Sequence, residues 1–373
     1  MEFTIAKAEF IKGLSRIQSI IEKRTTLPIL SNVLLETKGE GLQIVATDLD
    51  VGMKALYEAR IEDPGSITVA AKKLFEIARE LPDGDVSFKV LKSNDWVEIK
   101  AGHARFKMVA LATDEYPILP DYDDQKYSEI SSAALRSMIE KVVHAVGSDE
   151  TRPYLNGVFF VTDKSGGKKV LRAVATDGHR LALSERDMQE GSDLVLEKGV
   201  IVPKKGISEL NKILDGDDAT IKVCFTERNA IFKKENSLFI IRLIEGDFPD
   251  YTSVVPKKNL RVMTCSRDEI FAALRRVSLL SEEMGRGVKF SLQKKNIEIS
   301  CENPNLGEAH EEMVVSYEGE AFEIGFNARY FIDVLSVIKD EDVSMSFDEA
   351  SSPVMIKSPS DPGFVSVIMP MRL

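Results

Sequence analysis

The residues best suited to chemistry in this 373-residue chain are few, and the most suggestive sit in one short run. Asp177 and His179 lie two apart in ATDGHRLA (Ala175–Ala182), and Asp48 holds the matching place in an earlier ATD. Acids beside a histidine suggest metal-assisted hydrolysis, in which carboxylate and imidazole hold an ion that activates water. That chemistry needs more ligands than the chain offers. Its only histidines are His103, His144, His179 and His310, with no metal-ligand spacing among them. There is no P-loop, no G-x-G-x-x-G and no G-x-S-x-G elbow. Cys224, Cys265 and Cys301 are odd in number, far apart and outside any C-x-x-C pair, so they read as reduced, buried thiols. The repeated ATD is better read as a strand end closed by an Asp-stabilised turn. No catalytic residue, metal or cofactor is assigned.

The elements around these residues repeat. Phe10/Leu14/Ile17, Leu135/Ile139/Val142 and Ile270/Leu274/Val277 share the i, i+4, i+7 spacing of one apolar helix face, at offsets of roughly 125 to 135 residues. Strand-like runs follow at Pro28, Pro153 and, more weakly, Gly285, and a further element recurs from Val69, Val202 and Phe326. The spacing predicts helices over Lys7–Glu22, Lys72–Glu80, Ala133–Val146, Lys204–Leu214, Arg267–Leu280 and Asn327–Lys339, with Ser131 or Ser132 and Ser266 as caps. Short strands fill the rest, including Gly52–Arg60. The fold class is α+β, with three similar domains, each of two helices on antiparallel sheets. Pro- and Asp-rich stretches from Tyr116 and Asp247 set domains at 1–120, 128–250 and 251–373. Three like domains suit a ring, scaffold or binding surface better than a single-pocket enzyme.

Charge divides along the same elements. The chain carries −11, which alone argues against nucleic acid, yet the six predicted helices sum to about +9 and leave about −20 elsewhere. Helices sharing one surface would make it basic and the opposite one acidic. No window approaches a membrane span, and MEFTIAKAEF lacks the basic and apolar regions of a signal peptide, so a cytoplasmic protein is expected.

The repeat plan, TLPIL (Thr26–Leu30), RPYLNG (Arg152–Gly157), ATDGHRLA and the terminal MPMRL (Met369–Leu373) together resemble the bacterial DNA polymerase III beta subunit, the replication sliding clamp. The resemblance covers the whole chain. It implies a head-to-tail homodimeric ring of clamp domains, helices lining the hole, that encircles duplex DNA without reading its sequence and tethers the replicative polymerase. Clamp-loader subunits and other DNA-processing proteins would share a pocket for short peptides rich in Gln, Leu and Phe. An acidic three-repeat interaction scaffold without a DNA role is the alternative.

Carried over residue by residue, the DNA contacts are Arg24, Lys72, Asp149, Pro153 and Tyr154; Pro153 stands where the family often has an aromatic residue, and Asp149 and Glu150 bring negative charge. The peptide pocket takes Arg152, Leu155, Thr176, Gly178, His179, Arg180, Leu181, Pro249, Ser253 and Val254. Its remaining wall is Val367, Ile368, Met369, Pro370, Met371 and Arg372, with Arg180 and His179 as polar anchors and Ser253 where relatives carry a basic residue. The interface between chains takes apolar Ile77, Phe106, Leu279 and Leu280, with Lys73, Arg105 and Lys107 facing Glu302, Glu308, Glu311 and Glu312.

Overall fold

The computed structural model describes residues 1–21, 27–91, 96–188, 193–214, 220–256, 261–281 and 287–372. Six α-helices stand among them: α1 (Lys7–Ile17), α2 (Ala71–Glu80), α3 (Ser132–Val142), α4 (Lys204–Ile213), α5 (Arg267–Val277) and α6 (Ala328–Val337). The three periodic apolar sets fall on α1, α3 and α5, and all nine residues are buried. Burying an aliphatic or aromatic side chain contributes about 1.5–3 kcal/mol, so these stripes are what fasten each helix to its sheet.

Five of the helices end sooner than periodicity predicts, and in α1 and α5 side chains capture carbonyls that would extend them. In α1 the Ser15 hydroxyl donates to the Lys12 carbonyl at 3.0 Å and the Gln18 amide to that of Leu14 at 3.0 Å. In α5 Ser278 donates to the Arg275 carbonyl at 3.1 Å, and the chain tightens into a 3-10 turn at Ser278–Leu280. Likewise α3 passes into the turn Val143–Ala145. The expected strand Gly52–Arg60 is two strands, Val51–Glu58 and Arg60–Asp63. Ser266 caps α5 as expected, accepting from the Glu269 N–H at 3.4 Å, whereas the buried Ser132 hydroxyl has no partner and caps nothing.

By contact density the residues form two compact units, Met1–Ser132 with Ser208–Leu243 and Ala133–Ile207 with Ile244–Leu373. The central repeat is shared between them because its strands complete the sheets of both neighbours. In the first unit Ser237–Arg242 pairs antiparallel with Val51–Glu58 inside a 13-stranded sheet. In the second, Arg180–Asp187 pairs antiparallel with Asp361–Ile368 inside an eight-stranded sheet, beside a separate four-stranded one.

Each unit has its own core. In the first, Phe3 stacks on Phe88 at 4.8 Å and meets Phe10 of α1 edge-on at 6.4 Å. In the second, α5 and α6 cover a cluster in which Phe331 lies 5.0 Å from both Phe290 and Phe326. All three cysteines are free and buried, and burial pushes the Cys265 thiol up to about 12, so it stays protonated and unreactive.

Gly13 lets α1 lie close on its sheet: a Cβ there would stand 2.5 Å from Ile44 Cδ1 and 2.8 Å from the Tyr57 ring. Alanine would gain about 1 kcal/mol of helix propensity, but overpacking costs about 1–3 kcal/mol. Gly13→Ala is therefore expected to lower stability by about 1 kcal/mol in urea unfolding; a more stable variant would show that α1 can lift off.

Candidate partner-binding cleft

A cleft of about 270 Å³ opens in the second unit. Its floor is the Thr176–Arg180 loop, held by its own side chains. The Thr176 hydroxyl donates to the Arg180 carbonyl at 2.6 Å, and Asp177 Oδ1 accepts from the N–H groups of His179 and Arg180 at 2.9 and 3.0 Å. This is the Asp-stabilised turn expected from ATD, and it commits Asp177 to architecture. Gly178 has φ +90°, and a Cβ there would stand 3.0 Å from the Arg152 guanidinium, so glycine both permits the turn and seats Arg152 against it.

Tyr251 in the wall is backed by two further rings: Phe159 stacks on Phe248 at 4.7 Å, and Tyr251 leans on both. Arg172 fixes the Tyr251 hydroxyl at 3.1 Å and pairs with Asp163 and Glu185 at 2.7 and 2.9 Å. Asp250 accepts from the Thr252 N–H at 3.0 Å and turns the chain so that Pro249 and Val254 face inward.

Of the expected pocket residues, Arg152, Leu155, Thr176, Gly178, Arg180, Leu181, Pro249, Val254, Val367 and Met369 line this cleft. Six do not. Ile368 is fully buried and faces the opposite core, as alternation along a strand requires. His179, Ser253 and Arg372 are exposed outside the lining, and the half-buried Pro370 and Met371 also lie outside it, the Met371 N–H donating to the Gly325 carbonyl at 2.9 Å. Tyr154, expected at DNA, lies in the wall, as do Tyr251 and Asp250, which sequence reasoning treated as linker. The aromatic–acid run DFPDY was the signal available for them.

Arg180 is not an open anchor. Its side chain is 11% exposed, its Nε donates to Asp177 at 3.0 Å, another nitrogen reaches Asp333 at 2.7 Å, and the guanidinium lies 4.5 Å from the Tyr330 ring centre. Burial and the Arg180 charge hold the His144 imidazole down at about 4, with Nδ1 unpartnered among the described residues.

The other expected residues lie apart from the cleft. Arg24 falls outside the described residues. Lys72 is exposed on α2, and its neighbour Lys73 pairs with Glu76. Asp149 accepts from Thr151 and Arg152, which hold its carboxyl down at about 2, and exposed Pro153 opens the turn Pro153–Leu155. The helices α1 to α5 each carry net positive charge; α6 carries none, since Asp333 meets Arg329 at 2.9 Å and Lys339 lies beyond its end. Among the interface residues, Phe106 and Leu279 are exposed, 37% and 78%, while Ile77 and Leu280 are half-buried. Arg105 bonds Glu98 at 2.7 Å and Arg276 holds Glu311 at 2.9 Å, so some of these charges are matched within the chain. Glu302, Glu308 and Glu312 are exposed, as is Lys107.

Residues 1–120, 129–250 and 252–372 match the N-terminal, central and C-terminal domains of the DNA polymerase III beta subunit. The chain belongs to that family. It is 38% identical to the beta sliding clamp of Caulobacter vibrioides over the whole of both proteins. It superimposes on the DNA polymerase sliding clamp of Caulobacter crescentus with a TM-score of 0.94, covering 100% of both chains at 38% identity. A sliding clamp from Bartonella birtlesii bound to griselimycin gives 0.95, again over 100% of both chains, at 32% identity. Membership in the sliding clamp family does not favour the scaffold alternative. Among the described residues no helix is long and apolar enough to cross a membrane.

The His144 site has a measurable consequence for this clamp. Between pH about 6.5 and 4 the unfolded chain binds a proton there that the folded chain refuses, so stability falls as pH falls, by up to about 3 kcal/mol. His144→Phe is expected to flatten that part of the denaturation profile; an unchanged slope would place the proton elsewhere. His310 has the opposite sign: Glu298, 2.7 Å from its Nδ1, raises its pKa, so the stabilisation is complete below about 6.5 and lost as pH rises through the folded value. An NMR titration should find His310 above His144.

Proposed function

We propose that two copies of this chain close head to tail into a ring around duplex DNA, and that the cleft holds polymerase and clamp-loader subunits by short peptide segments. The three clamp domains are taken as 1–120, 128–250 and 251–373, and the role is tethering in the cytoplasm, without catalysis. The observation that carries the reading is a pair of unfilled sheet edges with opposite charge. Along Ala104–Val109 one side of a strand has no partner among the described residues, and Arg105, Phe106, Lys107 and Val109 are exposed. Gly307–Val314 likewise pairs on one side only, and is acidic with Leu306 and Val314 exposed beside it. Open edges invite a strand from another chain, and basic facing acidic selects the pairing of unlike ends.

Net positive helices support a hole lined by them, with phosphates attracted at long range and no base contacts to impede sliding. Asp149, Pro153 and Tyr154 stand close to the cleft floor, so Arg24 and Lys72 are the stronger candidates for phosphate contact. The cleft's mostly apolar wall, with Met369 adaptable at its rim, suits peptides carrying Leu and Phe.

The deciding experiment is retention on nicked circular DNA after enzymatic loading, before and after the circle is cut. Loss on linearisation is the expected result; equal retention would mean ordinary DNA binding. Phe106→Ser with Leu279→Ser should convert dimer to monomer in sedimentation, and an unchanged mass would remove those residues from the interface. Val254→Asp with Met369→Asp, both at exposed positions of the wall, should reduce polymerase stimulation by about 2–4 kcal/mol of binding, a thirtyfold loss or more, with the dimer intact.

A further inference from the structure

The loop that floors the cleft has a twin in the first unit. The Thr47 hydroxyl donates to the Val51 carbonyl at 3.0 Å and accepts from the Leu49 N–H at 3.0 Å. Asp48 Oδ1 accepts from the N–H groups of Asp50 and Val51 at 2.9 and 2.6 Å. Thr176, Gly178, His179 and Arg180 make the same set around Asp177, the Gly178 N–H donating to the Thr176 hydroxyl at 3.1 Å. The match extends to the neighbouring strand. The Arg242 N–H donates to the Asp50 carbonyl at 2.7 Å, as that of Met369 donates to the His179 carbonyl at 2.9 Å. Each loop also faces a Pro-containing linker, Pro117–Tyr122 in one unit and Pro249–Val254 in the other.

The twin encloses a groove of about 170 Å³, bordered by Leu49, Asp50, Ile118, Leu119, Tyr122 and Arg242. Its surface is not what folding alone would leave. Leu49 has φ +80°, the conformation that Gly178 supplies in the cleft, and its side chain is 50% exposed. A leucine there is strained and gains little burial in return. Ile118 is 94% exposed although the linker around it is pinned: Tyr116 is buried, and Leu119 fills the space over Gly52, 2.7 Å from where a Cβ would stand. The Arg242 guanidinium is exposed and has no ion pair among the described residues, while the Lys54 ammonium is committed to the Pro120 carbonyl at 3.1 Å.

We propose that this groove is a second, weaker docking site for an extended peptide, which sets one large apolar side chain against Leu49 and Ile118 and an acidic side chain on Arg242. The inference rests on the reading of the larger cleft as a peptide site, since it takes its ligand class from that likeness. A volume near 170 Å³ against 270 Å³ leaves room for one anchor side chain, which sets the lower affinity.

The test is calorimetric titration of the full-length dimer with the synthetic peptide acetyl-Gln-Leu-Asp-Leu-Phe. Wild type should show a tight class and a class about tenfold weaker. Val254→Asp with Met369→Asp should remove the tight class and leave the weak one. Adding Ile118→Ser should then weaken what remains by roughly fivefold or more, and Arg242→Ala should do the same and abolish its salt dependence. Ile118 faces solvent, so its variant should keep the wild-type melting temperature and circular dichroism. A cleft-blocked protein that binds nothing, or whose remaining binding ignores Ile118→Ser, overturns the second site and leaves the cleft standing. Wild type that binds no peptide at all overturns both.

Discussion

Backbone N–H and carbonyl groups at the margin of a sheet must be paired, covered or left to water, and this chain meets that requirement by passing sheets from one repeat to the next. Ser237–Arg242 completes the edge at Val51–Glu58, and Asp361–Ile368 completes the edge at Arg180–Asp187. Each joint brings together the same three things: a Thr-Asp loop, the end of a foreign strand and the linker leading onward. Cleft and groove alike follow from that joint. Other edges stay open among the described residues, and one side of Ala104–Val109 and one of Gly307–Val314 are the two proposed to pair with a second chain.

The electrostatics work at a coarser grain. Several helix cations are matched locally, Arg136 by Glu140 at 2.8 Å and Lys212 by Glu209 at 2.8 Å. On the proposed reading, DNA would meet the field of the residual positive charge on α1 to α5 and not a row of individual contacts. Such a field decays over a Debye length of about 8 Å at physiological salt, which suits a ligand that must be attracted and still slide. The cleft works the other way. Its Arg180 is bound to Asp177 and Asp333, so the ligand proposed for it would be read by shape and apolar area.

Much of this was legible in the residues. The nine apolar positions at helical spacing were all core, because period and burial are tied by geometry that tertiary context cannot easily override. The ATD turn and the Ser266 cap were readable because Asp and Ser accept from backbone groups a fixed distance ahead. Helix ends were not, since they turn on whether Ser15, Gln18 and Ser278 spend their hydrogen bonds on the local backbone or on water. The residue-level cleft came from family resemblance, and it parts from the observed lining where local geometry decides: Ile368 faces the opposite core by strand alternation, and Tyr251 and Asp250 hid in a stretch read as a connector.

In both Thr-Asp loops the bonds that set the backbone come from the first two side chains and from main-chain groups. The side chains between take no part in those bonds, although the left-handed backbone at Leu49 and Gly178 limits what can stand first, and the carbonyls of Asp50 and His179 each hold the incoming strand. Within that limit the second position, Asp50 in one loop and His179 in the other, is free to vary on a fixed frame. A duplicated chain of this kind can rewrite what each joint recognises while the joint itself stays shut, so divergence between its addresses need never pass through an unfolded intermediate.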